Sequence, residues 1–304
     1  MIFEPEFLEH LEGLVERGEE GELFQLLERG PTPPPAEPIP NPRYRSGLII
    51  SGHKPKHLNK LDEVSADFII LNLEDGVPPQ KKRVALLTIG IFLQRLPKIG
   101  KELVVRINPL SEQGRGEVEF LEQFPIHSYR LPKVEGVAEV EELLHLTSKR
   151  VDISVETAGA FFNLPSFRDL PIKLLFLGIY DLLNSLHLPH SFLQLENPLI
   201  HQILGRFTLE SRGIGKVPIG FVYQKYRDLE GFRRWGLLQR QLGVEGVGVI
   251  TPTQAQIANQ LFTTDLTLAR EIVEEFEKRG PFTRDGLYID EPIYKNFKLL
   301  LGEG

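Results

Sequence analysis

Short apolar runs alternate with amphipathic stretches along most of the chain, from about Arg45 onward. Apolar runs bounded by glycine, proline or polar residues predict buried strands, and the stretches between them have the spacing of helices. The predicted strands are Leu48–Ile50, Phe68–Leu71, Leu103–Ile107, Tyr129–Leu131, Ile153–Val155, Leu174–Leu177, Pro218–Val222 and Val247–Ile250. Helices are predicted between them, for example at Pro79–Leu96, Val137–Leu146 and Leu229–Leu242. Eight strand–helix units predict a TIM (β/α)8 barrel, with a doubly wound open sheet as the alternative.

Three further regions lie outside the predicted barrel, which spans residues 43–262. Residues 1–29 have the apolar stripes of two short amphipathic helices and predict a small helical N-terminal extension. Residues 30–42 contain seven prolines and predict a stiff, extended linker, so deletion of residues 1–42 is expected to leave the barrel stable. The alternative is that the apolar stripe of the extension packs against the helices of the barrel. Residues 263–304 predict a C-terminal helix followed by a tail that ends in another helical stretch.

Composition and charge narrow the class of partner. A net charge of −7 argues against nucleic acid and against an anionic membrane surface, because both attract basic proteins. The absence of cysteine excludes disulfides, thiolate metal sites and a cysteine nucleophile, and it fits a cytoplasmic protein. The N-terminal sequence does not have a signal-peptide pattern, and no apolar run is long enough to cross a bilayer.

Two carboxylates, Glu156 and Asp181, each follow a predicted strand, and a helical pattern separates the two strands. A parallel crossover brings the C-terminal ends of both strands to one edge of the sheet, so we expect the two carboxylates to lie close together. Paired carboxylates suit a hard cation such as Mg²⁺ and leave positions open for substrate oxygens. The alternative is that each acid caps the helix that follows it.

Three more strand ends carry charged residues. Glu74 and Asp75 follow the second strand and predict a polar network, although a solvated helix start is equally compatible. Arg106 ends the third strand, where a bidentate grip on a carboxylate is its natural use and a salt bridge to the two acids is the alternative. Lys133 follows the fourth strand and could form a Schiff base, but neighbouring acids would keep its amine protonated.

Eight short motifs occur in an order and spacing that resemble the citrate lyase β-subunit family of the HpcH/HpaI aldolase superfamily. They are RSGLIISGHKP, ILNLEDGV, VVRINPL, LPKVE, ISVETA, LGIYDL, GVGVITPTQ and YIDEP. The resemblance covers Arg45 to about Lys298 and implies a TIM barrel, bound Mg²⁺ and a homotrimer or hexamer. It also implies cleavage or formation of a carbon–carbon bond next to an acyl thioester or a 2-oxo acid.

The resemblance assigns roles to particular residues. Glu156 and Asp181 match the metal ligands, and Arg106 matches the arginine that holds the oxo acid. Glu74 and Asp75 match the acids that orient this product and the metal-bound waters. Asp290 matches an aspartate that reaches a neighbouring subunit's site as acid or base, although it could instead cap the helix after it. Lys54, Lys56 and Lys82 are candidates for the phosphates of coenzyme A, with ordinary surface lysines as the alternative.

Several positions depart from the family motifs, in the loops that carry the predicted ligands. They are Asn72 in place of the first aspartate of LDLED, Gly159 and Ala160 within ETARG, Ile179 and Tyr180 within GAEDL, and Thr251 within IHPSQ. The leading hypothesis is a Mg²⁺-dependent carbon–carbon lyase that acts on a 3-hydroxyacyl thioester of coenzyme A or acyl carrier protein, with a 2-oxo acid as second product or substrate. The alternatives are a class II 2-oxo-acid aldolase and a non-catalytic paralogue that binds a ligand or assembles with a partner.

Overall fold

The computed structural model describes residues 2–302, in two compact units that consist of Met1–Phe262 and Thr263–Gly304. The first unit contains a closed barrel of eight parallel strands, in which each strand pairs with its neighbours in sequence and β8 pairs with β1. The strands are β1 (Ser46–Ser51), β2 (Phe68–Asn72), β3 (Glu102–Arg106), β4 (Ser128–Leu131), β5 (Arg150–Val155), β6 (Ile172–Leu177), β7 (Val217–Gly220) and β8 (Gly246–Val249). The barrel prediction is confirmed, and closure excludes the open doubly wound sheet.

Eleven helices of the first unit surround or extend this barrel within the described residues. They are α1 (Pro5–Arg17), α2 (Glu20–Glu28), α3 (Pro55–Leu58), α4 (Lys82–Leu93), α5 (Arg115–Leu121), α6 (Val137–Leu146), α7 (Ala158–Phe162), α8 (Ile179–Ser185), α9 (Pro198–Gly213), α10 (Leu229–Gln241) and α11 (Pro252–Leu261). Short helical turns occur at Pro79–Lys81, Leu110–Gly114, Leu164–Phe167 and His190–Phe192. No helix between residues 2 and 302 has the length and apolar character needed to cross a membrane.

The N-terminal end of the barrel is closed by a buried ionic cluster. Arg150 donates to Glu102 at 2.8 Å and to Asp152 at 2.9 Å, and the hydroxyl of Tyr44 donates to Glu102 at 2.9 Å. The Lys173 ammonium donates to the same hydroxyl at 2.9 Å. An apolar layer fills the barrel above the cluster, formed mainly by Phe68, Ile70, Val104, Leu174, Phe176 and Ile219. The interior is therefore solid in its lower part, and open space remains at the C-terminal ends of the strands.

The two N-terminal helices pack on the barrel's own helices. Leu11 and Leu14 of α1 and Leu23 of α2 are completely buried, and they belong to the same apolar core as α4. The Lys81 ammonium donates to the carbonyls of Val15 and Glu16 at 2.6 and 2.7 Å, which satisfies free carbonyls at the end of α1. The apolar stripe of the extension is thus covered by the helices of the barrel, which is the alternative that the sequence left open.

The second unit, Thr263–Gly304, contains α12 (Thr267–Arg279), β9 (Phe282–Arg284), β10 (Leu287–Ile289) and α13 (Glu291–Leu301). The helices were predicted, but the β9–β10 hairpin was not. Its two-residue turn is Asp285-Gly286, with φ values of 49° and 81°. An Asp-Gly pair is a strong signal for such a turn, because both positions require positive φ. Asp290 caps α13, since its side chain accepts from the Ile293 N–H at 3.2 Å.

Candidate active site

A cavity of 570 Å³ opens at the C-terminal end of the barrel strands. Five of the predicted site residues line it, namely Lys54, Asp75, Arg106, Glu156 and Asp181. A cleft at this end of the strands is where TIM-barrel enzymes place their chemistry. The barrel therefore brings together residues that are up to 127 positions apart in the sequence, counted from Lys54 to Asp181.

Glu156 follows β5 and is 3% exposed. One carboxylate oxygen accepts the backbone N–H of Lys133 at 2.7 Å. Within residues 2–302 no cation forms an ion pair with it, and burial raises the pKa of Glu156 despite the nearby charges of Arg130 and Arg106. Gly178 makes room for this side chain, because a Cβ there would lie 2.5 Å from both the Cβ and Oε2 of Glu156. The carboxylate therefore retains an oxygen with no hydrogen bond from the described chain.

Asp181 lies in the first turn of α8 and is half-buried. In the described part of the chain its carboxylate has no hydrogen-bond or ion-pair partner, and it lines the same cavity as Glu156. No group of three or more His, Asp or Glu side chains among residues 2–302 is arranged as a metal site. Two carboxylates with unused oxygens nevertheless fit Mg²⁺, which commonly takes one or two carboxylates and completes its shell with water and substrate oxygens.

Arg106 is held on three sides at the wall of the cavity. Its Nε donates to the side-chain oxygen of Asn72 at 2.7 Å, and Nη2 donates to the Asp75 carbonyl at 3.0 Å. Its Nη1 lies 3.2 Å from a carboxylate oxygen of Glu74. The Asn72 amide in turn donates to the Asp75 carbonyl. The predicted salt bridge and the predicted position at the rim are therefore both present, and the guanidinium is fixed in one orientation.

Lys133 pairs with the acids that follow β2. Its ammonium lies 2.9 Å from Glu74 and 3.7 Å from Asp75. Partial burial would lower the pKa of Lys133, but contact with Glu74 outweighs it and raises the pKa to about 12. For Glu74, burial acts to raise the pKa, and the charges of Arg106 and Lys133 hold it below its usual value. Because the amine stays protonated, this arrangement does not favour a Schiff base.

Arg130 was not singled out from the sequence, and it also lines the cavity. It lies on β4, its Nε donates to the Ser154 hydroxyl at 2.8 Å, and its guanidinium carbon is 4.2 Å from the centre of the Phe176 ring. Burial and the neighbouring charge of Arg106 lower its pKa to about 9, so it remains charged at neutral pH. Side chains alternate between the two faces of a strand, so Arg130 faces the barrel interior because its neighbours Tyr129 and Leu131 face the surrounding helices. This alternation is the signal that the sequence contains.

Comparison with known proteins identifies the family. The model of the HpcH/HpaI aldolase/citrate lyase family matches residues 45–252, which include every strand of the barrel. This chain belongs to that family. Its resemblance to the citrate lyase β-subunit, deduced from the motifs, is thus confirmed.

The similarity extends to individual relatives and to solved structures. A (3S)-malyl-CoA thioesterase of Cereibacter sphaeroides is 27% identical over 263 residues, which are 84% of this chain and 91% of the relative. The citrate lyase subunit beta of Haemophilus influenzae is 27% identical over 282 residues, which are 84% and 95% of the two chains. The structure of CitE from Mycobacterium tuberculosis in complex with magnesium, acetoacetate and coenzyme A is 21% identical, with a TM-score of 0.69 over 85% of this chain and 97% of that one.

The departures from the motifs of the HpcH/HpaI family are accommodated locally. Asn72 holds Arg106, as described above, and Thr251 caps α11 by accepting the Gln254 N–H at 3.1 Å. Tyr180 lines the cavity and packs edge-on against His190, with ring centres 5.2 Å apart. A Cβ at Gly159 would lie 2.3 Å from a carboxylate oxygen of Glu135, so a larger residue there would require Glu135 to move.

The predicted phosphate-binding lysines differ in their surroundings. Lys82 donates to the carbonyls of Leu73 and Glu74 and to the side chain of Asn108, at 2.7–2.9 Å. All three of its N–H groups are therefore used inside the chain, which ties α4 to the end of β2. Lys54 is exposed at the wall of the cavity. Lys56 forms an ion pair with Glu12 of α1 at 2.8 Å.

Proposed function

We propose that this member of the HpcH/HpaI family is a Mg²⁺-dependent carbon–carbon lyase. It would cleave or form a 3-hydroxyacyl thioester, from an acyl thioester of coenzyme A or a carrier protein and a 2-oxo acid. The observation that carries the proposal is the shared cavity of Glu156, Asp181 and Arg106, in which both carboxylates keep oxygens that have no partner among the described residues. Membership of a family described as aldolase and citrate lyase supports the reaction class.

Glu156 and Asp181 would hold the metal, which when bound supplies positive charge to stabilise the oxygen that develops negative charge during bond cleavage. Arg106 would take the carboxylate of the 2-oxo acid through the two-pronged geometry of its guanidinium. Asn72 and Glu74 orient that guanidinium before a substrate arrives, which lowers the entropy lost on binding. Asp75 lies beside Arg106 and would orient the acid and its waters.

In the cleavage direction, the bond between the carbon next to the thioester and the carbon bearing the hydroxyl breaks. The hydroxyl gives up its proton as the carbonyl of the oxo acid forms, and the bonding electrons pass to the thioester fragment as an enolate. A proton then adds to that carbon. We assign this proton transfer to Asp290 of a neighbouring subunit, on the strength of the YIDEP motif, although Asp290 also caps α13. Glu74 would assist by keeping Arg106 and Lys133 in place.

The thioester moiety carries phosphates in either of its usual forms, coenzyme A or the phosphopantetheine of a carrier protein. Lys54 is exposed at the cavity and is the candidate for these phosphates. Lys82 would contribute indirectly, because its hydrogen bonds hold the segment that carries Glu74 in place. Assembly as a homotrimer or hexamer in the cytoplasm completes the proposal, and light scattering after gel filtration would measure the number of subunits.

The test uses the products to show whether the carbon–carbon bond or the thioester bond is cleaved. Wild-type protein with Mg²⁺ would be given malyl-CoA, citramalyl-CoA and citryl-CoA, and both free thiol and 2-oxo acid would be measured. A lyase releases the 2-oxo acid and retains the thioester, whereas a thioesterase releases free thiol and no oxo acid. Release of thiol alone would replace the proposal by thioester hydrolysis. Failure to cleave any thioester, together with failure to cleave a pyruvate aldol adduct, would favour a non-catalytic paralogue.

The metal assignment has its own test. Titration of Mg²⁺ or Mn²⁺ into wild-type protein should give binding heat that Glu156→Ala abolishes. Glu141→Ala provides the matched control, because Glu141 is an exposed residue of α6 outside the cavity. Equal heats for wild type and Glu156→Ala would show that the metal does not bind at these carboxylates.

A further inference from the structure

Arg130 is a buried charge that has no counter-charge in contact in the described part of the chain. It is 5% exposed, and the Ser154 hydroxyl is its single hydrogen-bond acceptor within residues 2–302. The two terminal nitrogens of its guanidinium have no hydrogen-bond or ion-pair partner in that part of the chain. Buried arginines are normally paired with carboxylates, because removal of the charge from water is costly. An arginine whose terminal nitrogens are left unpaired at the wall of a cavity points to a ligand that completes the pairing.

The guanidinium of Arg130 is held in place without its terminal nitrogens. The Phe176 ring covers one face of the guanidinium at 4.2 Å, and the Ser154 hydroxyl takes the Nε hydrogen at 2.8 Å. Stacking on an aromatic ring and a hydrogen bond to Nε together restrict the side chain to one orientation. The terminal nitrogens are therefore preorganised for an acceptor, which reduces the entropy lost when one binds.

Glu156 does not supply that acceptor. The charge of Arg130 acts on Glu156 through space, but the two groups do not approach within ion-pair distance, and one oxygen of Glu156 is taken by the Lys133 N–H. Under the proposed function, the remaining oxygen faces the metal. Arg130 thus keeps its terminal nitrogens for a different group.

Arg130 lies beside Arg106 in the barrel. The two residues are paired in the register of β3 and β4, so their side chains project from neighbouring strands toward the same interior. Adjacent strands are about 4.8 Å apart, a separation similar to the span of a short carbon chain with a carboxylate at each end. Arg106 already has one carboxylate, Glu74, in contact at 3.2 Å, whereas no carboxylate between residues 2 and 302 is in contact with Arg130. Among residues 2–302, the carboxylates of Glu156, Glu74 and Asp152 act on Arg130 from beyond ion-pair distance, so its guanidinium remains available to a carboxylate of a ligand.

We propose that Arg130 is a specificity-determining residue that, together with Arg106, makes the cavity select organic acids with two carboxylates over acids with one. This inference rests on the proposed function, in which Arg106 takes the carboxylate next to the oxo group. Arg130 then takes a second carboxylate on the same ligand, through the bidentate geometry that guanidinium and carboxylate share. The 2-oxo acid is accordingly a dicarboxylic one.

Binding measurements test the selection without any need for turnover. Malate and lactate are stable hydroxy acids that differ by one carboxylate, and calorimetry would give the Kd of each, both with Mg²⁺ and with a chelator. Wild-type protein should bind malate at least about tenfold more tightly than lactate, which corresponds to one charge-assisted contact. Equal affinities for the two acids in wild-type protein would overturn the inference without recourse to any variant.

Arg130→Gln removes the charge and keeps a planar group that can lie over Phe176. It should raise the Kd for malate at least about tenfold and change that for lactate less than about threefold. Ser154→Ala is the matched control, because it removes the Nε contact and retains the charge; it should preserve most of the preference. If Arg130 had only a structural role, Arg130→Gln would weaken the binding of both acids by the same factor and leave the ratio of their Kd values unchanged. That result would overturn the inference.

The outcome is distinguishable from failure of the proposed function. If the wild-type protein cleaves a thioester and Arg130→Gln keeps the wild-type preference for malate over lactate, the inference is refuted and the proposed function stands. A protein that cleaves none of the thioesters, but prefers malate through Arg130, would refute the lyase and retain the selection as a property of binding.

Discussion

Gly178 is the residue whose replacement reports most directly on the geometry of the carboxylate site. A Cβ built there lies 2.5 Å from the Cβ of Glu156 and 2.5 Å from its Oε2. Favourable contacts between carbon atoms are at about 3.5–4.0 Å, so Gly178→Ala creates an overlap of roughly 1 Å. Overpacking of this kind costs about 1–3 kcal/mol of unfolding free energy. The strain is relieved only if Glu156 or the segment at Gly178 moves, which displaces a proposed metal ligand.

Two measurements on Gly178→Ala follow. Urea unfolding without metal should show the loss of about 1–3 kcal/mol, and titration of Mn²⁺ should show an affinity about 10- to 100-fold lower, the usual cost of misplaced support at a metal site. Gly205→Ala is the control, because Gly205 lies inside α9 and a Cβ added there would have no atom within 4 Å. That change should raise stability by about 0.5–1 kcal/mol. If Gly178→Ala gave the same change in stability and the same Mn²⁺ affinity as Gly205→Ala, the inferred close contact between residue 178 and Glu156 would be wrong.

Three other predictions concern stability, pH and the second unit. Leu14→Ala, at a fully buried position of α1, should lower the unfolding free energy by about 2–5 kcal/mol in a single urea transition. The control is Leu209→Ala on α9, where the side chain is 75% exposed and the change should be less than about 0.5 kcal/mol. A small effect of Leu14→Ala would show that the extension does not contribute to the stability of the barrel. Because the folded state lowers the pKa of Glu74, its stabilisation should be complete above about pH 4.3 and lost as the pH falls through the folded pKa. Urea unfolding of wild type and Glu74→Gln should therefore give a constant difference from pH 7 to 5 that narrows below pH 4, and a constant difference to pH 3 would contradict this. Asp290→Asn should preserve stability, since asparagine caps as well as aspartate, but reduce thioester cleavage at least about a hundredfold; equal rates would leave Asp290 as a helix cap alone.

The sequence was sufficient for the barrel and for the position of its principal acids. Each strand appears as a short apolar run, and parallel strands must deliver their C-terminal residues to one end of a barrel. That rule alone brings Arg106, Glu156 and Asp181 to the rim of one cavity. The inference of the barrel and the inference of the shared rim need only the order of residues along the chain and the parallel direction of all strands.

Features that depend on packing could not be obtained in this way. Arg130 is charged, and a charged residue in a four-residue strand is ordinarily expected at the surface, whereas here it faces the barrel interior. The pairing of Lys82 and Lys133 with groups at the end of β2 depends on side-chain positions that sequence spacing does not determine. The burial of Leu14 likewise requires knowledge of the surface of α4 that receives it.

The ionic cluster beneath the barrel makes the cavity a chamber with a closed floor. Tyr44, Arg150 and their partners, together with the apolar layer above them, leave the C-terminal end of the strands as the route to solvent in the first unit. A molecule that is broken in two within such a chamber departs in sequence, because the deeper fragment must wait for the fragment nearer the mouth. In the reverse direction the deeper fragment must arrive first. Under the proposed function, the kinetics should accordingly be ordered rather than random.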